Sequence, residues 1–249
     1  MNKKTILLAI IFATNLTACL QSQINKSIDA AGSLVEGFTV SKQQLIQEAM
    51  LSAKEIDKKA PIADSNSKYA KRLKKLTKGL HSYDGLEFNY KVYLVSDINA
   101  FAMPDGTVRV YAGLMDLMED DELVAVIGHE IGHVVNEHSL NQYKKAYVAK
   151  AAKEGLTAAD GTIGNVAGAY GDVAEDFLNA QFSQSDELES DAYGVNVLYK
   201  LGRDPYAAAS AQKRLQELGG GSDSVFSSHP PSQKRIDLAN QAADKITGK

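Results

Sequence analysis

The sequence predicts an α+β fold, mainly helical, with a small sheet early in the chain. Three observations carry that expectation. Residues 88–96 (FNYKVYLVS) alternate in polarity and are rich in β-formers, and two short extended runs, Asn99–Met103 and Thr107–Tyr111, flank the turn signal Pro104-Asp105-Gly106. From Leu114 onward the apolar spacing is helical almost to the end. With 249 residues, 44% of them hydrophobic, the chain is long enough for one domain with a real core.

The chain opens MNKKTILLAIIFATNLTAC. A basic start at Lys3 and Lys4 precedes an apolar run of about ten residues, too short to span a bilayer and suited to the core of a signal peptide. Small residues just before Cys19 resemble a bacterial lipobox. That likeness implies removal of residues 1–18 and acylation of Cys19, whose several acyl chains would hold the protein on a membrane. Leu20 rather than aspartate follows, which by resemblance to the lipoprotein sorting rule favours the outer membrane. Cys19 is the only cysteine, so the mature body has neither an intrachain disulfide nor a thiolate ligand or nucleophile. Residues 19–40 are polar and small and read as a tether.

The globular body is expected over 41–249. Ser41 to Lys59 is helical in period and begins at a serine able to cap it; Pro61 stops it. Ser65 to Leu80 forms a second helix, with Tyr69, Leu73, Leu76 and Leu80 at helical spacing and a lysine-rich outer face. The sheet segments follow, and then helices over 121–138, 140–153, 184–201, 204–217 and 231–245. Residues 155–172 are rich in Gly and Ala, compatible with a loop or with a closely packed small-residue helix.

The whole chain has 27 basic and 31 acidic residues. Residues 1–18 hold Lys3 and Lys4 and no acid, so their removal leaves 25 bases, 31 acids and a net charge of −6. No basic stripe is evident, which argues against nucleic acid as a partner.

Chemistry concentrates at VIGHEIGHVVNEH, residues 126–138. Acidic residues Asp120, Asp121 and Glu122 start a helix, and Leu123, Ile127, Ile131, Val134 and Val135 bury it. At about 100° per residue His129 and His133 share a face, with Glu130 at its edge. Two neutral imidazoles one turn apart suit a divalent metal, which needs a third protein ligand. A histidine ten residues after the first is not present: Ser139 stands there, and His138 falls about 180° from His129, at an expected surface position. Among the 13 glutamates only Glu187 is followed four residues later by an aspartate, Asp191. On one helical face these two supply a ligand and a hydrogen-bond partner for a ligating histidine, while Glu189 points away. One Zn²⁺ per chain, held by His129, His133 and Glu187, would leave a position for water. Glu130 is then the general base for its attack on a peptide carbonyl.

These residues, with NAFAMPDGTVRVYAGLM before and SSHPPSQKR after, resemble the gluzincin metallopeptidases grouped with the CAAX prenyl protease, HtpX and Oma-type enzymes. The likeness covers about residues 65–240. It implies a zincin-like fold and a zinc endopeptidase of the bacterial envelope that acts on unfolded or damaged proteins. It places His129, His133 and Glu187 as ligands, Glu130 as base and Asp191 behind them. The family usually shows an arginine where Ser185 stands, which leaves the support of Asp191 open. Two further expectations concern substrate. Residues Thr107, Val108, Arg109, Val110 and Tyr111 are read as an exposed edge strand that pairs with an extended polypeptide. His229 is read as a fourth ligand or as a donor to the carbonyl oxygen. The rival reading is a non-catalytic, chaperone-like envelope lipoprotein with structural zinc. It needs no glutamate base, and structural zinc usually has four ligands.

Overall fold

A computed structural model describes residues 39–156, 168–218 and 228–249. The signal-peptide reading, Cys19, nearly all of the tether and most of the Gly-rich stretch lie outside the described residues. Helices α1 (Lys42–Lys59) and α2 (Lys68–Leu76) lead to a small hairpin, β1 (Ser82–Tyr83) and β2 (Leu86–Glu87). Strands β3 (Asn89–Tyr93), β4 (Ala100–Ala102) and β5 (Thr107–Tyr111) follow. The rest is helical: α3 (Ala112–Leu117), α4 (Asp120–Val135), α5 (His138–Lys153), α6 (Tyr170–Asn179), α7 (Gln184–Lys200), α8 (Ala207–Glu217) and α9 (Gln233–Thr247). The α+β expectation is borne out.

Local chemistry explains the boundaries. Ser41, Ser67 and Ser232 cap α1, α2 and α9 by accepting from backbone amides. Glu119 and Glu122 form a reciprocal capping box at the start of α4, and Ser183 with Asp186 does the same for α7. Two apolar clusters hold the fold. One joins the sheet, α4, α7, α8 and α9; the other packs α1, α5 and α6 together. Helix α4 lies at the centre of the first, buried without interruption from Glu122 to Val134. Each of Leu123, Ile127 and Ile131 contributes about 1.5–3 kcal/mol by leaving water.

Helices α4 and α7 meet backbone to backbone. A Cβ on Gly128 would lie 3.0 Å from the Gly194 Cα, and one on Gly194 would lie 2.8 Å from the Ala125 carbonyl oxygen. Gly132 similarly faces Ser190 Cα at 3.1 Å. No side chain fits between the two helices at these points, so their functional residues are brought together at short range.

The strand order is β3-β5-β4, with β3 parallel and β4 antiparallel to β5. This corrects the edge-strand expectation for Thr107–Tyr111. That segment is the central strand, its backbone is paired on both sides, and Thr107, Val108, Arg109 and Val110 are buried. The one charged side chain of the run, Arg109, does not face solvent. In the fold its guanidinium is buried against Asp57, with Nε to Oδ1 and Nη2 to Oδ2 both at 2.8 Å, and donates to the Asn89 carbonyl. Burial raises the affinity of Asp57 for a proton, but hydrogen bonds from Arg109, Lys91 and Tyr93 outweigh it and hold the carboxyl well below the usual range. The sheet edge packed against α4 is β4, whose Ala102 carbonyl accepts from Ser139 Oγ at 3.0 Å.

Candidate metal centre

His129 and His133 leave α4 one turn apart, and their Nε2 atoms are 3.0 Å from each other. The face of α7 that carries Glu187 and Asp191 lies against them. Glu187 Oε1 is 3.4 Å from His133 Nε2, and Oε2 is 3.7 Å from His129 Nε2. His229 enters from the segment before α9, with Nδ1 2.8 Å from Glu187 Oε1 and 3.3 Å from His129 Nε2. One donor atom from each of His129, His133, Glu187 and His229 lies within 4.8 Å of the others, and all four residues are buried. Phe182 stacks on the His133 ring at 3.9 Å between centroids and lies over His229 at 5.1 Å.

Behind this cluster Asp191 Oδ1 accepts from His129 Nδ1 at 2.9 Å. Arg235 clamps the same carboxylate, Nε to Oδ2 and Nη2 to Oδ1 both at 2.7 Å, and Gln212 adds a third donor at 3.2 Å. Because Asp191 takes the Nδ1 proton, His129 keeps the tautomer whose Nε2 lone pair faces the cluster. Arg235 Nη1 also lies 2.6 Å from Glu187 Oε2 as an ion pair. That contact is off the hydrogen-bonding direction, and the buried oxygen retains acceptor capacity.

Charge follows from this geometry. Burial holds His133 well below the ordinary imidazole value, so the ring is neutral and its lone pair available. For Glu187 burial raises the pKa, but the charge of His229, its hydrogen bond and the His133 contact outweigh it, so the carboxylate stays ionised. Asp191 is lowered too, its burial overcome by hydrogen bonds from Arg235 and His129. Glu130 behaves oppositely. Burial pushes it up, and the nearby histidines only partly offset that. Its Oε1 is 3.7 Å from His229 Nε2, and it accepts from the Ala102 backbone amide.

The donor set fits a divalent ion. Tetrahedral ligands at about 2.0–2.1 Å from zinc sit about 3.3 Å from one another. The contacts here, between 2.8 and 3.7 Å, bracket that spacing. The neutral His133 ring and the ionised Glu187 carboxylate are also protonation states a metal requires. The profile of peptidase family M48 matches residues 67–243 of the chain.

The chain belongs to peptidase family M48. It is 37% identical to the metalloprotease YcaL of Escherichia coli, with 98% of both chains covered. It is also 37% identical to the metalloprotease LoiP of the same organism, with 94% of each covered. The mitochondrial metalloendopeptidase OMA1 of Arabidopsis thaliana is 32% identical over 62% of this chain and 32% of that protein. The expected kinship with the Oma-type enzymes is thus borne out, and the chain is a metalloprotease with polypeptide substrates.

In this M48 peptidase one further sequence expectation changes and one open question closes. His138 is buried rather than on the surface, because α4 stops at Val135 and the chain turns before His138 begins α5. The support of Asp191, left open by Ser185, comes from another element: Ser185 lies near the start of α7 beside Ser183, while Arg235 of α9 grips both Glu187 and Asp191. Arg235, Gln212 and Phe182 were not singled out by sequence. Arg235 stands in the SSHPPSQKR stretch, but nothing in its spacing tells which carboxylate it meets.

Proposed function

We propose that this M48 peptidase is a zinc endopeptidase of the bacterial envelope, lipid-anchored through Cys19 at the outer membrane, that cleaves unfolded or damaged envelope proteins. The observation that carries the catalytic part is the buried convergence of His129, His133, Glu187 and His229, with Glu130 beside it. His129, His133 and Glu187 would hold the ion. A bound zinc supplies Lewis acidity, lowering the pKa of water toward about 7 and polarising a carbonyl. Glu130 takes the proton of the attacking water and returns it to the leaving amine. Asp191 and Arg235 fix His129. His229 is placed either to occupy a fourth ligand position or to donate to the carbonyl oxygen.

Casein cleavage with and without a chelator, beside Glu130→Gln and with zinc content measured, tests the reading. The variant should lose at least about 10²-fold in turnover and keep its zinc. Cleavage that persists in both the variant and the chelated enzyme would end the assignment. The anchor rests on the basic, apolar, small-residue order before Cys19. Cys19→Ala should move the protein from the membrane to the soluble fraction, and an unchanged membrane fraction would remove that part.

A further inference from the structure

His133 has a second ring nitrogen, and the turn after α4 brings a partner to it. Were α4 to continue, His138 would lie about 140° around the helix from His133. The chain instead reverses at Asn136 and Glu137, and Glu137 takes up the left-handed region at φ 61° and ψ 13°. Residues with a side chain seldom adopt that conformation, and where they do the surrounding structure has a reason to hold it. The result is that His138 Nδ1 lies 3.2 Å from His133 Nδ1 and 3.4 Å from Ser190 Oγ, with the two imidazoles edge to face. The other nitrogen of His138 faces outward, 3.3 Å from Glu189 Oε2 and 3.7 Å from Asp186 Oδ1.

The proton positions follow from the end of the chain of contacts. Carboxylates only accept, so the hydrogen on the carboxylate side of His138 sits on Nε2, and Nδ1 is the nitrogen placed to accept from His133. His133 must then donate from Nδ1, which leaves the Nε2 lone pair facing His129 and Glu187. We propose that His138 is a positioning residue for His133. It fixes the tautomer and ring orientation of that ligand, and Glu189 with Asp186 fixes the tautomer of His138 in turn. The inference rests on the reading of His133 as a metal ligand, and it adds to the support that Asp191 gives His129 a second one for His133, ending at the exposed Glu189.

Nitrogen-15 NMR of the imidazole rings in the metal-free protein, paired with zinc affinity by chelator competition, tests it. The wild type should show His133 as the Nδ1–H tautomer. His138→Leu should lose that preference and bind zinc about 10–100-fold more weakly. His138→Asn, whose Oδ1 stands where Nδ1 was, should restore most of both. A His138→Leu variant that melts like wild type and keeps tautomer and affinity overturns the proposal, as does an Asn variant no better than Leu. If the Leu variant fails to fold, Glu189→Gln decides: ring signals of His138 and His133 that do not move overturn it. A wild type that binds no zinc sinks the metal reading instead, and the tautomer measurement still decides this one.

Discussion

The two α4 imidazoles are one turn apart, yet the molecule secures them by opposite means. His129 rests on Asp191, a buried carboxylate locked by Arg235 and Gln212. His133 rests on another histidine, and the contacts continue to Glu189, whose side chain is 62% exposed. The first arrangement is buried and ionic, and removing either partner strands a buried charge. The second reaches water within two contacts, so its outer end is screened and replaceable. One metal site can therefore combine a ligand whose support is part of the fold with one whose support is open to solution conditions.

The largest effect that probes this contrast should come from Arg235→Met. It leaves Asp191 and Glu187 buried without their cation and should lower unfolding free energy by about 3–5 kcal/mol in urea titration. A loss of only about 0–1 kcal/mol, as for a surface ion pair, would erase the distinction between the two sides. Next, Asp191→Asn should weaken zinc binding about 10–100-fold, and the deficit should persist in high salt because the carboxylate is buried. Glu189→Gln should cost roughly two- to fivefold, the scale of a part-exposed pair worth about 0.5–1 kcal/mol. That deficit should shrink as salt screens the wild type. Equal salt responses would contradict the contrast.

A buried pair remote from the metal gives a test read in its pH dependence. Asp57 is held below the usual carboxylate range in the folded state, so its contribution is fully present above the unfolded value of about 3.9 and is lost as pH falls below that. Acid titration of Asp57→Asn should accordingly show a shallower loss of stability below about pH 4 than the wild type. Parallel acid limbs would show that Asp57 does not supply that slope.

The histidine pair and the Glu187–Asp191 pair were legible because four-residue spacing on a helix is geometry written in sequence. Helix starts at Ser41 and near Ser183 were legible for the same local reason, since a cap is a contact between neighbours. What escaped were relations between distant segments. Nothing in TVRVY tells that two strands flank it, or that Arg109 meets Asp57, 52 positions away. His138 was misplaced because the helix reading ran on to 138, past the turn at Glu137; no glycine marked the left-handed residue. Arg235 was invisible as a clamp, since its carboxylates lie 44 residues or more upstream.

The glycines where α4 crosses α7 have a consequence for selectivity. The gap between the two imidazoles and the opposing carboxylate is gauged by bare main chain, so a single methyl at position 128 or 194 would wedge the crossing and widen the nest without altering any donor. Which cation this nest accepts is thus written partly in hydrogen atoms where side chains are absent.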